Sequence, residues 1–298
     1  MTFTGTIKFL AGVFVAGATL CFLPSPAQSA ASLLDGFGGP KGFGTDSVFR
    51  NDDSGTGPVS LPFPVNFYGT TYNQYYVNTN GNITFQSVFG TFTPSFFPGA
   101  PQPIIAPYWA DVDTRESSSA PGSTGVEGLV WYTNPDSKTS VVTWNNVGFF
   151  EAINPPSNNF QLVLRDLEGV VGSDGSLGSP GDFSFEFRYN GLTWTTGTAS
   201  GGDSNGLGGT PAVAGFDSGN GVDFYVLPGS KTASILDIVN TTNVDSPGVW
   251  RFNVRNGILD GAGGGATSVP APLPLLSGAA LLGSLRKLRT LSSRLKVS

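Results

Sequence analysis

The chain has 298 residues, with 15 Lys and Arg against 21 Asp and Glu, no histidine, one cysteine, 42 glycines and 22 prolines. Six of the basic residues (Lys8, Arg286, Lys287, Arg289, Arg294 and Lys296) lie in terminal segments without acids, so the nine left face all 21 acids and the intervening chain carries a formal charge of −12. Such a surface repels phosphate backbones, which argues against a nucleic-acid partner, and the lack of histidine removes the usual catalytic base.

At the N-terminus, Lys8 precedes FLAGVFVAGATLCFL, fifteen apolar or small residues ending at Leu23, and PSPAQSAAS follows with small residues between Ala27 and Ala31. That run has the length of a secretory h-region and falls short of the roughly 20 residues that cross a bilayer. Residues 1–30 therefore read as a signal peptide, with a retained anchor as the alternative. Cys21, the one cysteine, lies inside it, so the exported chain is expected to lack disulfides and cysteine metal sites.

The body of the chain reads as strands. YYVNTNGNITF holds Asn80-Gly81 between two apolar-alternating runs, a hairpin signal. VWYTNPDSKTSVVTW predicts a second hairpin turning over residues 134–138. FQLVLRD sets Phe160, Leu162 and Leu164 inward, DFSFEFRYN sets Phe183, Phe185 and Phe187 against a wet face of Ser184, Glu186 and Arg188, and VWRFNVR alternates Trp250, Phe252 and Val254 with Arg251, Asn253 and Arg255. Between the signal peptide and residue 269 no segment shows a convincing helical period. The expected fold is all-β, an antiparallel β-sandwich or jelly-roll-like barrel, flanked by an N-terminal signal helix and a short C-terminal hydrophobic helix.

Residues 61–85, LPFPVNFYGTTYNQYYVNTNGNITF, followed by PQPIIAPYWADVDT at 101–114, resemble the first half of a nidogen-like (NIDO) domain. NNFQLVLRD, FSFEFRYNGLTWTTG, AVAGFDSGNG and SPGVWRFNV resemble the second half, in the same order, so that the resemblance covers roughly residues 43–255. It implies an extracellular module of matrix or adhesion type and supplies no catalytic residues. The companion modules of the animal proteins are absent from this sequence.

Candidate chemistry is sparse. Gly202-Asp203-Ser204-Asn205-Gly206 fits G-x-S-x-G, but sits in GTASGGDSNGLGG without the strand before and helix after that a nucleophile elbow needs, so it reads as a loop. Asp111 and Asp113 in YWADVDTRE share one side of a strand, and with Glu116 form a candidate calcium site of carboxylate oxygens. Asp217, Asn220 and Asp223 in DSGNGVD form a weaker candidate and read as a glycine-rich hairpin turn. FGTFTPSFFPGAPQP, residues 89–103, packs four phenylalanines among glycines and prolines. Phe96, Phe97 and nearby Trp109 are the candidate binding surface if exposed, or the plug of the sandwich end if buried, which is the commoner fate of such rings. Trp131, Trp144, Trp194 and Trp250 are expected in the core.

GAGGGATS leads into VPAPLPLLSGAALLGSLRKLR, residues 269–289. This ending resembles the PEP-CTERM family of bacterial sorting signals in its P-x-P-L-P-L-L variant, carried by Pro270, Pro272 and Pro274 and by the basic residues Arg286, Lys287 and Arg289, with Ala271 where the signature form has glutamate. The resemblance implies processing by an exosortase-type membrane protease. Residues 273–285 would make about 20 Å of helix against roughly 30 Å of hydrocarbon, a transient stop held by its cations on the cytoplasmic side; a permanent short anchor is the alternative.

The organisation expected is thus a signal peptide (1–30), a nidogen-like β domain (31–256), a Gly-rich linker (257–268) and a sorting signal (269–298). The function expected is that of an exported, non-catalytic surface or matrix protein associated with the envelope or exopolysaccharide, binding a polysaccharide or matrix protein. A carbohydrate-binding module, calcium-assisted or not, is the alternative, and a hydrolase with two opposed carboxylates comes third.

Overall fold

The computed structural model describes residues 30–115 and 125–260. Fourteen strands among them, numbered in chain order, form two antiparallel sheets. The larger runs β1 (Asp46–Ser47), β7 (Leu129–Asp136), β8 (Thr139–Phe149), β9 (Ile153–Asp166), β10 (Phe183–Gly191), β13 (Val249–Arg255) and β14 (Ile258–Leu259), with β6 (Val112–Asp113) paired to β8. The smaller runs β12 (Phe224–Val226), β11 (Val213–Asp217), β5 (Ile104–Trp109), β4 (Asn82–Thr84), β3 (Thr70–Asn78) and β2 (Gly55–Phe67). The architecture is a sandwich, and neither sheet closes into a barrel. The signal helix and the C-terminal hydrophobic helix expected from the sequence lie outside the described residues.

The predicted alternation builds the core. Phe183, Phe185 and Phe187 on β10 face Phe252 on β13 and Phe216 on β11, with ring centroids 5.1 Å apart for Phe185–Phe252 and 5.2 Å for Phe185–Phe216. A second aromatic group stacks Trp144 on Phe160 at 5.1 Å and sets Trp194 edge-on to Tyr108. Each buried indole nitrogen of this group is satisfied: Trp144 Nε1 donates to Thr79 O at 3.0 Å and Trp194 Nε1 to Val147 O at 3.0 Å, as a ring buried with a polar handle requires.

Asn80-Gly81 turns the β3–β4 hairpin, where Asn78 pairs with Asn82. Gly81 has φ of 78°, and a Cβ there would meet Tyr108 O at 1.8 Å, so only glycine allows the turn to lie against β5. The second hairpin turns within the expected stretch, at its end, because β7 runs to Asp136 and β8 starts at Thr139. The residue Asp136 stabilises the tight link by accepting from Lys138 N at 2.7 Å.

The expected wet face of β10 is covered. Ser184 and Glu186 are buried. Arg188 and Arg251 pair with Glu186, and residues 31–34 cross the outer face, where Leu34 N donates to Gln161 Oε1 at 2.9 Å. A face that alternation marks as polar has thus been roofed by chain far away in sequence. A second departure is a 3₁₀ segment, Ala233–Asn240, which buries Ile235 and Ile238 at the i, i+3 spacing that eclipses in such a helix.

Candidate functional site

The chain changes sheets directly after β5. Ala110 and Asp111 carry it across, and β6 then pairs with β8 in the other sheet. The crossing is held from below by the β3–β4 turn: Ala110 N donates to Asn80 O at 3.2 Å and Val112 N to Asn80 Oδ1 at 3.0 Å. The side-chain amide of Asn80 reaches the other way, donating to Asp53 Oδ1 at 2.9 Å. Residues 51–54 are strapped alongside, since Asn51 N donates to Thr114 Oγ1 at 2.9 Å and Thr79 Oγ1 donates to Asn51 Oδ1 at 2.8 Å. One buried asparagine therefore sets the spacing between the crossing and the loop before β2.

Four carboxylates gather here, and their roles differ. Asp113 is fully engaged by protein: Arg115 donates to it from its backbone and its guanidinium, and Ala152 N donates to Oδ2 at 2.9 Å. Arg115 also reaches Asp52 Oδ2 at 3.1 Å and lies over the Phe150 ring. Asp111 is 1% exposed, and its Oδ2 has no hydrogen-bond partner. It lies against Gly197, where a Cβ would come within 2.3 Å of that oxygen. Asp52 Oδ1 is also buried without a partner. Carboxylate oxygens of Asp52, Asp53 and Asp111 lie within 4.8 Å of one another, with Asp53 on the solvent side.

The electrostatics follow. Burial, then the charges of Asp53, Asp52 and Asp113, push the Asp111 carboxyl up to about 7. Burial, then Asp113 and Asp53, push Asp52 up to about 6, although Arg115 pulls the other way. Burial also raises Asp53, against the opposing effect of its bond to Asn80.

The structure thus separates the two acids that the sequence pairs. Asp111 joins Asp52 and Asp53, while Asp113 is neutralised by Arg115; Glu116 lies outside the described residues. Asp52 and Asp53 carried no motif, and only the acidic pair in RNDDSG hinted at them.

Beside this cluster runs the long β4–β5 connection. Its Gly90 lies against Asp53, where an added Cβ would meet Asp53 O at 2.4 Å. Phe97 and Trp109 are 4% and 1% exposed and stack with centroids 6.0 Å apart, and Phe89 packs on the same indole at 5.3 Å. These two rings are therefore a small core under the loop, correcting the expectation that they belong to a contact surface. The buried indole keeps its hydrogen bond, Trp109 Nε1 donating to Thr91 O at 2.7 Å. Phe96 points outward and is 61% exposed, with Lys231 Nζ 5.3 Å from its ring centroid.

The loop that carries Phe96 is tied down. Gly99 N and Ala100 N donate to Asp217 Oδ2 at 2.8 and 3.0 Å, Phe89 N donates to Asn78 Oδ1 at 2.8 Å, and the Thr93 and Ser200 hydroxyls bond at 2.6 Å. Asp217 reaches the loop from the start of the β11–β12 turn, where Asn220 accepts from Val222 N and Asp223 N. The DSGNGVD stretch is the hairpin turn expected.

Nothing resembling a nucleophile elbow is assembled. Gly202–Gly206 forms a turn in which Asp203 Oδ1 accepts from Asn205 N and Leu207 N, and the segment before it is the short 3₁₀ element Thr198–Ser200. All five tryptophans are at most 5% exposed, so none offers a flat open face to a sugar.

A family model described as the nidogen-like domain matches residues 73–256. The chain is 36% identical to alpha-tectorin of Mus musculus over 241 residues, which is 72% of this chain and 10% of that protein. It is 31% identical to nidogen of Drosophila melanogaster over 228 residues, 71% of this chain and 16% of that protein. Dendrite extension defective protein 1 of Caenorhabditis elegans is 22% identical over 211 residues, 66% of this chain and 16% of that protein. The matched region is thus between a tenth and about a sixth of each of these relatives. No solved structure matches. A family match over more than half the chain, in the region where the sandwich forms, establishes that this chain belongs to the nidogen-like domain family.

Proposed function

We propose that the chain is an exported, non-catalytic adhesion module of the cell surface or extracellular matrix, and that it docks a partner through the β4–β5 loop at the end of the sandwich. The observation that carries this reading is Phe96, a large apolar side chain 61% exposed on a loop pinned by Asp217. An aromatic held on a rigid support loses little entropy when a partner covers it, which is what contact hot spots exploit. Loops at sandwich ends are also where this architecture carries binding surfaces.

The address rests on sequence alone. Residues 1–30 direct export; the β domain runs from 31 to 260, past the boundary at 256 expected from sequence, because Ile258–Leu259 pair with β13. The tether is then 261–268, and residues 269–298 form a PEP-CTERM-type signal handed to an exosortase-type protease. Removal of that tail releases the module to exopolysaccharide or matrix, whereas retention leaves it on the membrane. Among the described residues no helix is long and apolar enough to cross a membrane. Both terminal apolar segments lie outside that set.

The test uses protein purified from the surface or matrix fraction, with binding measured to immobilised matrix polysaccharides and surface proteins. Phe96→Ser should weaken binding at least tenfold, with unfolding midpoint and cooperativity unchanged. Unaltered binding by that variant refutes the docking surface. Recovery of peptides ending at Ser298 from matrix material refutes cleavage.

One observation favours a carbohydrate reading. The outer face of the larger sheet holds a cavity of about 410 Å³ lined by Arg165, Arg251, Arg255, Ser184 and Asn253, among others. Arg251 is paired with Glu186 and Arg255 with Asp260 of the same lining, so Arg165, beside hydroxyl and amide side chains, is the group that suits an anionic polysaccharide. Competition of binding by a uronic acid polymer but not by a neutral glucan would support this reading over Phe96 docking.

A further inference from the structure

We infer that Asp52, Asp53 and Asp111 hold a calcium ion at the point where the chain crosses between the sheets. Three independent features converge. The first is the donor set, carboxylate oxygens from three residues lying within 4.8 Å of one another. Two oxygens on a single Ca²⁺ can be separated by up to roughly 5.2 Å at 2.6 Å each, so the whole set lies within reach of one ion. The second is the unpaired oxygen of Asp111. This residue is 1% exposed, and Oδ2 lacks any hydrogen-bond partner, as does Asp52 Oδ1 in the same cluster. A buried carboxylate left unpaired costs several kcal/mol, and native structures provide it with a partner. The third is the neighbouring glycine. Any side chain at position 197 would come within 2.3 Å of Asp111 Oδ2, so Gly197 allows the carboxylate to sit where it does.

The protein's own cation does not fill the role. Arg115 is committed to Asp113 and touches Asp52 through Oδ2 only, leaving Oδ1 free. Four carboxylates with one guanidinium leave a strong negative excess. The donors are all hard oxygens, with no histidine in the chain and no cysteine among the described residues, which suits Ca²⁺ better than a softer transition metal. Asp53 opens the cluster to solvent, giving the ion a route in and leaving room for water to complete six to eight ligands.

The ion would tie together three separate pieces of chain: the loop before β2 through Asp52 and Asp53, the crossing through Asp111, and, by contact, the segment at Gly197. Its role is then structural, fixing the sandwich end from which the β4–β5 loop projects. It does not depend on Phe96 being the docking residue.

The test is calorimetric titration of EDTA-stripped, purified full-length secreted protein with CaCl₂ and, separately, MgCl₂, with thermal unfolding in parallel. Calcium should bind with one-site stoichiometry in the 10⁻⁴–10⁻³ M range of extracellular modules, and magnesium at least tenfold more weakly. Asp111→Asn and Asp53→Asn should each weaken calcium binding at least tenfold. Asp174→Asn, a change at an exposed turn, should leave it unaltered. Asp111→Asn should unfold in EDTA at or above the wild-type temperature, because it removes an unpaired buried charge; loss of the calcium response is then not a folding defect. No heat and no stabilisation at 10 mM calcium overturns the inference, as does an Asp111→Asn variant that responds like wild type. Equal affinity for magnesium overturns the assignment to calcium.

Discussion

Replacing Asp217 with alanine is the sharpest test of how the loop bearing Phe96 is held. Asp217 is buried at the end of β11, where Oδ2 accepts from Gly99 N at 2.8 Å and Ala100 N at 3.0 Å, and Oδ1 accepts from Gly219 N at 2.8 Å. Hydrogen bonds to a charged acceptor contribute about 1.5–3 kcal/mol each, so three give an upper bound of roughly 5–9 kcal/mol. Gly99 and Gly219 are exposed and recover water when the carboxylate goes, whereas Ala100 is buried and keeps an orphaned donor. The net loss should therefore be about 3 kcal/mol, or about 6–12 °C in midpoint for a domain of this size. Urea unfolding gives the first quantity. Amide exchange gives the second readout, with Gly99 and Ala100 expected to lose protection while β10 and β13 keep theirs. Asp217→Asn should fall between, since the amide retains one acceptor and turns a donor toward the opposite backbone N–H. A loss below about 1 kcal/mol, or unchanged protection at Gly99 and Ala100, would refute the reasoning.

Two further outcomes follow from packing and charge. Phe185→Ala should cost about 3–5 kcal/mol in urea unfolding, because the ring is buried among Phe183, Phe187, Phe216 and Phe252 and the sheets on either side limit collapse of the cavity. In calcium-free buffer, stability should fall as pH rises from about 4 to 7: Asp111 titrates near 7 in the folded chain and near 4 unfolded, so the folded state holds the extra proton and loses that advantage as the pH climbs through the folded value. The Asp111 contribution is at most about 4 kcal/mol, and Asp111→Asn should flatten the slope measured by urea unfolding across that range.

The strands were legible where one face meets the core. Phe183, Phe185, Phe187, Trp250, Phe252 and Val254 all lie where alternation assigns them, and Asn80-Gly81 turns a hairpin as its chemistry requires. Legibility ended where distant chain covers a face. Ser184 and Glu186 read as wet, and only the fold reveals the arginines that close over Glu186 and the strap of residues 31–34. The same limit governs the end of the sandwich. Phe96 and Phe97 are adjacent and identical in type, yet one is exposed and the other stacks on Trp109, because the direction of each depends on β5 beneath the loop. A spacing of two marks Asp111 and Asp113 as partners on one side of a strand. A crossing between sheets sends one toward Asp52 and Asp53 and the other toward Arg115, and no local pattern announces such a crossing. The short 3₁₀ segment escaped because its apolar residues, Ile235, Leu236, Ile238 and Val239, span too few residues for a period to show.

The outermost strands decide how this module can meet its own copies. At the ends of the larger sheet, β1 and β14 are two residues each, and at one end of the smaller sheet β12 has three. The remaining rim is the thirteen-residue β2, long enough to template another strand, but it carries Pro58, Pro62 and Pro64, and its pairing with β3 slips between Ser60 and Val65. A proline offers no N–H, and an interrupted rim presents no continuous ladder for a foreign strand to extend. Among the described residues, crowded copies thus meet no long uninterrupted rim on which sheets could grow into fibrils. Self-association through the described residues then relies on side chains, and so responds to single substitutions.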